Sequence, residues 1–256
     1  MKLGFIGTGN IVSDVVTGIC KSKISYKKII ISPRNKQKAK KLKQKFQKIL
    51  IAKNNQDVID NSDWVFLGVL PKVGEKILPK LIFREKQTII SFISTINYKK
   101  LKKIVKKKLT IVRAIPMPPI RLGKGPVAIF PPNKKIKNFF DKLGTAVEIN
   151  NEKLSKNFWS ASGMMAPFYE LLNTMSNWLV KRGVKKDKAQ KYITSLFVAL
   201  SEDAVVNSNK DLKYLVKESQ TPRGLNEQGV KELRKSGFYR STEKTLNSIL
   251  KRLNKV

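Results

Sequence analysis

The chain has 256 residues, of which 41% are hydrophobic and 28% charged, so it can bury the core of one large domain or of two modest ones. It lacks histidine, which excludes histidine bases, Ser–His and Cys–His nucleophiles and imidazole-rich metal sites, and its single cysteine, Cys20, excludes an internal disulfide framework. The net charge of +35 invites a nucleic-acid function, but most of the 53 basic residues are lysines spread along the chain, which does not indicate specific recognition.

The first segment of the chain has the order strand, glycine turn, helix. Residues Lys2–Ile6 form a short apolar run that ends at Gly7, and a helical pattern of apolar residues begins at Ile11. In a Rossmann unit one glycine permits the tight turn, the next lets the backbone approach a pyrophosphate, and the N–H groups at the helix start attract it. Gly9 supplies the second glycine, whereas Val12 stands at the third position. We therefore predict cofactor contacts from Gly7, Thr8, Gly9, Asn10 and Ile11.

The second predicted strand, Lys28–Ser32, bears on the choice between NAD and NADP. Rossmann domains that take NAD place an acid at the end of this strand, where it holds the ribose 2′-OH. Here the strand ends in Ser32-Pro33-Arg34-Asn35, which offers a hydroxyl, a guanidinium and an amide but no carboxylate. That set suits a 2′-phosphate, so we predict NADP(H) in preference to NAD(H), bound by Ser32, Arg34 and Asn35. The alternative for Arg34 is an ordinary solvated surface charge.

Strands and helices alternate as far as residue 150. Further strands are predicted at 49–52, 64–69, 88–93, 109–113, 127–130 and 145–149, and helices at 36–47, 56–61 and 73–78. Such alternation is typical of a mostly parallel, doubly wound α/β sheet, whose ligands lie beyond the carboxyl ends of the strands. We therefore expect a Rossmann-like domain over residues 1–150, in which Val69, Leu70, Pro71 and Ser94 also contact the cofactor.

Residues 151–256 lack strand patterns and are predicted to form an all-α domain. Apolar residues recur at helical spacing from Phe158 to Leu179, in two stripes along the same segment. A helix that is apolar on two faces is buried on two faces, so we expect a homodimer around this helix, although the stripes could also be ordinary core. Ser162, Gly163 and Pro167 predict a break in it. Later helices are predicted at 187–206, with Asp187 as N-cap, and at 209–217, 226–235 and 241–253.

Six segments, in order along the chain, resemble those of pyrroline-5-carboxylate reductases. GFIGTGNIVSDVVTGI is similar to the opening of that family, VFLGVLPK to its fourth strand and the following loop, and SFISTI to the end of the next strand. RAIPMPPIRLGKG resembles the family's R-x-M-P-N-x-P segment with its G-x-G, while SASGMMAPF and TPRGLNEQG occupy the places of its G-S-G-P-A and S-P-G-G-T-T segments. The resemblance implies a Rossmann domain, a helical dimerisation domain, and NAD(P)H-dependent reduction of a cyclic imine carboxylate in proline biosynthesis, or of a related imino or keto acid.

The resemblance also implies a substrate site. In the family the last of these segments holds the substrate carboxylate on backbone N–H groups, and its second threonine lies near the imine nitrogen. By position, Asn226 and Thr221 become the catalytic candidates. The implied substrate-binding residues are Ser162, Gly163, Thr221, Pro222, Arg223, Gly224, Leu225, Asn226 and Glu227. The lack of histidine fits this chemistry, because a protonated cyclic imine already attracts hydride and requires mainly orientation. The alternative is a plain turn between helices with Asn226 as N-cap.

Departures from the family pattern cluster in this substrate site. Met117 stands where the family has Asn, Arg223 replaces a Gly, Leu225 and Asn226 replace the two Thr, and Glu227 adds a carboxylate. Two interpretations follow: the enzyme reduces a different imine or carbonyl acid, or it makes proline with an altered pocket.

Three other functions compete with the reductase. A β-hydroxyacid dehydrogenase-like enzyme would carry a lysine on the long helix, four residues after a glycine, but Pro167 holds that position. A non-catalytic NADP-binding protein would explain the altered loop by lost activity, and a basic nucleic-acid binder would explain the charge. We expect a small imino or keto acid as substrate, no specific nucleic-acid partner and no metal. Since there is no apolar run of about 18 residues and the start does not resemble a secretory signal, we also expect no membrane span and a cytoplasmic setting.

Overall fold

The structure, a computed structural model, describes residues 1–255. They form two compact units, Met1–Phe158 and the residues from Trp159 onward. The first unit is built on one eight-stranded sheet with helices, and the second contains only helices. The predicted fold class, a Rossmann-like doubly wound sheet followed by an all-α region, is confirmed.

The sheet of the first unit is parallel except at one strand pair. Its strands are β1 (Lys2–Ile6), β2 (Lys28–Ile31), β3 (Ile49–Ile51), β4 (Trp64–Leu67), β5 (Thr88–Ser91), β6 (Thr110–Ile115), β7 (Pro126–Phe130) and β8 (Thr145–Glu148). They lie in the order β3-β2-β1-β4-β5-β6-β7-β8, and only β6 and β7 pair antiparallel. Each strand agrees with its predicted position to within two residues at either end. The strand order reverses direction between β1 and β4, which is where ligands bind in such sheets.

The helices of the first unit cover both faces of the sheet. They are α1 (Asn10–Lys21), α2 (Lys36–Lys45), α3 (Asn55–Asp60), α4 (Pro71–Ile77), α5 (Tyr98–Val105) and α6 (Lys134–Phe140). Alternate residues of the strands enter two separate hydrophobic cores, one shared with α1, α2 and α6 and the other with α3 and α5. Strands buried on both faces read as continuous apolar runs, which explains why the sequence predicted them well.

The second unit has few buried apolar residues of its own. Its helices are α7 (Ser155–Ser162), which crosses the boundary between the units, α8 (Met165–Val180), α9 (Lys186–Val206), α10 (Leu212–Glu218), α11 (Leu225–Lys235) and α12 (Phe238–Asn254). The predicted break in the long helix is confirmed, since α7 ends at Ser162 and α8 begins at Met165. Asp187 is not an N-cap, because α9 begins one residue earlier. Within residues 1–255, no helix combines the length and hydropathy needed to cross a bilayer.

Candidate functional site

The turn between β1 and α1 requires glycine for steric reasons. Gly7 has a φ of +103°, and a Cβ at this position would lie 2.3 Å from the carbonyl oxygen of Gly68. A Cβ on Gly68 would in turn lie 2.2 Å from Cγ2 of Val12. The two glycines therefore let the ends of β1 and β4 and the first turn of α1 approach one another. The sequence pointed to Gly7 but missed Gly68, whose signal is a glycine directly after the buried strand WVFL.

Gly9 differs from these glycines because space above it is open. It is the N-cap of α1, and a Cβ added to it would meet no atom within 4 Å. No side chain caps this helix end, and its first turn holds no acid. The first N–H groups of a helix have no intrahelical acceptor and carry partial positive charge, so this end of α1 suits a phosphate.

Ser32 stabilises the glycine turn through hydrogen bonds. Its hydroxyl accepts a hydrogen bond from the backbone N–H of Gly7 at 2.9 Å, and its carbonyl accepts one from the hydroxyl of Thr8 at 2.8 Å. Both Ser32 and Thr8 are buried. The predicted contact between Ser32 and the cofactor stays a prediction, and this burial argues for an indirect role, since the hydroxyl holds the turn.

A cleft of about 900 Å³ lies over the glycine turn, and we call it the glycine-turn cleft. It collects eleven of the residues predicted from the sequence as cofactor contacts: Gly7, Thr8, Gly9, Asn10, Ile11, Arg34, Asn35, Val69, Leu70, Pro71 and Ser94. The other lining residues, which sequence reasoning missed, are Lys36, Gln37, Gly68, Val73, Phe92 and Ile93. They follow the carboxyl ends of β2, β4 and β5, so the strand ends that pointed to the predicted contacts could also have pointed to these residues. The volume falls in the range of about 300–1,000 Å³ typical of cofactor pockets, so the cleft fits a dinucleotide.

One end of the glycine-turn cleft is basic. Arg34 and Lys36 line it and are exposed, and the Lys38 ammonium donates a hydrogen bond to Oδ1 of Asn10. Asn35 also caps α2, since its side-chain oxygen accepts from the Lys38 N–H at 3.1 Å. Within residues 1–255, neither Asp nor Glu lines the cleft. This end can therefore hold an anionic group but offers no carboxylate to a ribose hydroxyl.

The loop between α10 and α11 is a tight turn held by its own side chains. The Gly224 N–H donates to the Thr221 carbonyl at 2.8 Å, and a Cβ on Gly224 would lie 2.2 Å from the Thr221 hydroxyl. Arg223 adopts a left-handed φ of +62°. The Asn226 amide donates to the carbonyl of Ser219 at 2.8 Å, so this side chain braces the loop. The loop brings together Thr221, Pro222, Arg223, Gly224, Leu225, Asn226 and Glu227.

Asn226 is not the N-cap of α11, because Gly224 takes that position. Glu227 lies in the first turn and accepts a hydrogen bond from the Arg223 N–H at 2.6 Å. A hydrogen bond from Lys231, 2.7 Å away, and the Arg223 N–H hold the pKa of Glu227 below its usual range. Thr221, Pro222 and Glu227 also line a pocket of about 430 Å³ with Lys213, Val216, Lys217, Gln220 and Arg234.

The remaining predicted substrate residues lie at the break in the long helix. Ser162 ends α7, and the Gly163 N–H donates to the carbonyls of Trp159 and Ser160 at 3.1 and 3.0 Å. A Cβ on Gly163 would lie 3.0 Å from Cδ1 of Ile249, so α12 packs closely against this glycine.

A doubly wound parallel sheet, a two-glycine turn where its strand order reverses and a cleft over that turn define a Rossmann-type dinucleotide-binding protein. Residues 2–98 match the family described as NADP oxidoreductase coenzyme F420-dependent, and residues 152–256 match the family described as pyrroline-5-carboxylate reductase dimerisation. The chain is 27% identical over 271 aligned residues to a pyrroline-5-carboxylate reductase of Aquifex aeolicus, covering 100% of this chain and 97% of the relative.

Solved structures agree with the fold. A 1-pyrroline-5-carboxylate reductase from Streptococcus pyogenes superposes with a TM-score of 0.83 at 23% identity, covering 100% of this chain and 99% of that one. A pyrroline carboxylate reductase from Plasmodium falciparum with NADP bound gives 0.82 at 20% identity, covering 99% and 97%. The chain is thus similar in sequence to pyrroline-5-carboxylate reductases over its whole length and shares their fold.

Proposed function

We propose that this protein reduces pyrroline-5-carboxylate, or a closely related imino or keto acid, with NADPH. The glycine-turn cleft carries the proposal, because it is of dinucleotide size and has a basic end without a carboxylate. The similarity to pyrroline-5-carboxylate reductases supports an NAD(P)H-dependent reductase that acts on a C=N bond, with a pyridine nucleotide as cofactor and a small molecule as substrate. Proline biosynthesis is the corresponding pathway, and the single cysteine favours a reducing, cytoplasmic setting.

The preference for NADPH over NADH rests on the basic end of the cleft. Arg34 and Lys36 are exposed there, and within residues 1–255 the guanidinium of Arg34 makes no hydrogen bond or ion pair. A guanidinium presents forked donors that match a phosphate. A ribose 2′-OH would find no carboxylate among the lining residues of this chain. A 2′-phosphate therefore gains contacts here that a hydroxyl cannot.

The chemistry requires orientation more than acid–base catalysis. When bound in the cleft, NADPH would supply the hydride that converts a protonated C=N bond to a secondary amine. A cyclic imine that is already protonated needs no proton donor during this step, which agrees with a chain that contains no histidine. The residues of the cleft hold and orient the cofactor, and the loop that follows α10 is proposed to hold the substrate.

The loop is proposed to bind a carboxylate through Arg223 and the first N–H groups of α11. Gly224 is an N-cap without a side-chain partner, which leaves the start of α11 to attract an anion. The Glu227 carboxylate already accepts the hydrogen bond of the Arg223 N–H. A bound anion would therefore accept hydrogen bonds only from the other donors of the loop. The negative charge of Glu227 then favours a substrate that also carries a cation, such as an iminium.

The second unit supports a homodimer. Among residues 159–255 the buried hydrophobic residues are Ala189 and Ile193, whereas Trp178, Val198 and Val206 are more than half exposed. A second copy that covers these apolar faces would supply the core that the unit lacks. We therefore assign cofactor binding to residues 1–150, and dimerisation and substrate binding to residues 151–256.

Arg34→Glu tests the cofactor assignment. The substitution replaces a charge-assisted contact worth about 1.5–3 kcal/mol by a repulsion, so the Kd for NADPH is expected to rise roughly 10- to 100-fold or more. The Kd for NADH, which lacks the 2′-phosphate, should change far less. Lys40→Glu is the matched control, because Lys40 is exposed on α2 but does not line the cleft. An unchanged ratio of the two dissociation constants in Arg34→Glu would refute the assignment.

A further inference from the structure

A part-buried ion pair, Arg113 with Glu152, lies beside the glycine-turn cleft. Arg113 lies on β6, and its side chain is 4% exposed. One guanidinium nitrogen, Nη1, donates to Oε1 of Glu152, and the other, Nη2, donates to the carbonyl of Ser94 at 2.5 Å. Ser94 lines the cleft. A single buried side chain thus connects the sheet to the backbone of the cleft wall.

Glu152 fixes the other end of the same segment. Its Oε1 accepts a hydrogen bond from the N–H of Tyr98 at 2.7 Å, and Tyr98 is the first residue of α5. Residues 94–98, between β5 and α5, are therefore held at Ser94 by Arg113 and at Tyr98 by Glu152. The three cleft residues Phe92, Ile93 and Ser94 run directly into this segment.

The place of this wall in the strand order indicates which half of a bound dinucleotide it would face. The strand order reverses between β1 and β4, so a dinucleotide bound across that point spans both sides of it. The basic residues follow β2 on one side, and Ser94 follows β5 on the other. If the basic end takes the phosphorylated adenosine, the wall formed by Phe92, Ile93 and Ser94 faces the nicotinamide half.

Stability alone does not account for an ion pair whose arginine is buried. Burial lowers the pKa of the Arg113 guanidinium, and only the neighbouring Glu152 carboxylate opposes that effect, so desolvation has a real cost. Replacement of such a pair by apolar residues of similar volume is often neutral or stabilising. What apolar residues cannot do is hold the Ser94 carbonyl and the Tyr98 N–H in fixed places.

We propose that Arg113, held by Glu152, is a positioning residue that sets the cleft wall at Phe92–Ser94 and thereby orients the nicotinamide half of the cofactor. The inference rests on the proposed function of the cleft. Arg113 acts through the backbone of Ser94.

The test compares Arg113→Met, Arg113→Lys and the double variant Arg113→Met/Glu152→Met in the full-length protein. The readouts are the thermal midpoint, the Kd for NADPH, and kcat and KM with pyrroline-5-carboxylate. Arg113→Met leaves the Glu152 carboxylate, whose side chain is 27% exposed, without its partner and should lower the midpoint, whereas the double variant removes both charges and should recover most of it. In both, the Kd for NADPH should rise and kcat should fall by about tenfold or more, because small misplacements of reacting groups are costly. The KM for the imino acid should stay within about twofold, since its proposed binding loop is untouched.

The midpoint, the Kd for NADPH and the kcat of Arg113→Lys should lie between those of the wild type and of Arg113→Met, because one ammonium cannot make both contacts of the guanidinium. Lys137→Met is the control, since it breaks an exposed pair with Asp141 elsewhere on the unit and should alter none of the cofactor readouts. A double variant that regains stability together with wild-type Kd and kcat would overturn the proposal, since the pair would then matter only for folding. A wild-type protein that binds no NADPH would instead refute the proposed function itself.

Discussion

Gly9→Ala is expected to separate the stability of the fold from the binding of the cofactor. Gly9 has φ −75° and ψ −175°, an extended conformation that alanine adopts without strain, and the added Cβ meets no atom within 4 Å. The reduced freedom of the unfolded chain favours Gly→Ala by about 0.4–1 kcal/mol, but Gly9 is the N-cap of α1, where alanine is less favourable than glycine by a similar amount. The two effects nearly cancel, so the thermal midpoint should change by no more than about 2 °C.

The affinity for the cofactor should change far more than the stability. If a pyrophosphate approaches the backbone at Gly9, a methyl group occupies the space that it needs and displaces it from the N–H groups of α1. Charge-assisted hydrogen bonds are worth about 1.5–3 kcal/mol each, so the loss of one of them raises the Kd for NADPH roughly 10- to 100-fold.

The assay is a titration with NADPH followed by intrinsic tryptophan fluorescence, with thermal unfolding measured on the same samples. Gly229→Ala is the matched control: a Cβ there also meets no atom within 4 Å, and Gly229 lies inside α11 and is not among the cleft residues. It should raise the midpoint without changing the Kd. A Gly9→Ala variant that binds NADPH within about twofold of the wild type would refute the placement of the dinucleotide across the turn, and a midpoint lowered by more than about 4 °C would refute the argument that the added Cβ causes no clash.

Three further predictions follow from individual contacts. Ser32→Ala removes the acceptor of the buried Gly7 N–H, which costs about 1–3 kcal/mol, so both the thermal midpoint and the affinity for NADPH should fall; wild-type values would contradict the supporting role of Ser32. Burial raises the pKa of the Cys20 thiol and the hydrogen bond from Tyr26, at 3.3 Å, lowers it, so Tyr26→Phe should raise that pKa further and slow the reaction with a disulfide reagent at mildly alkaline pH. Faster labelling would show that access of the reagent, and not the pKa, governs the reaction rate of this thiol. Val198→Asp introduces a charge on an exposed apolar face of α9, so light scattering should show loss of the dimer or aggregation; an unchanged mass would place the interface elsewhere.

The sheet could be predicted from the sequence because each of its strands is a short apolar run bounded by turn residues. The helix α5 could not, since four of the eight residues in YKKLKKIV are lysines and only Leu101 and Val105 are buried. Its N-cap Asn97, which accepts from the Lys100 N–H, was the signal that could have located it. The antiparallel pairing of β7 was equally hidden, because pairing direction leaves no periodicity in a strand.

The glycine-turn cleft was largely predictable, because the carboxyl ends of parallel strands meet at one edge of the sheet. The hydrogen-bond partner of each polar side chain could not be predicted from the sequence. Ser32 was predicted as a ligand contact, and the sequence did not indicate that its hydroxyl also accepts a hydrogen bond from the Gly7 N–H. Asn226 read as a possible N-cap, but its amide braces the carbonyl of Ser219. The pair of Arg113 and Glu152 is 39 residues apart in the chain, a separation at which no local pattern can link two side chains.

Transfer of deuterium tests the proposed reaction most directly. The purified protein would be incubated with pyrroline-5-carboxylate and NADPH that carries deuterium at the transferable position of its nicotinamide ring, and the product would be analysed by mass spectrometry. A reductase of this C=N bond yields proline that has gained a single deuterium on the former imine carbon. If the protein binds NADPH but forms no labelled proline, while another imino or keto acid in the same assay takes up the label, pyrroline-5-carboxylate is not its substrate; if no acid takes up the label, the protein is not a reductase.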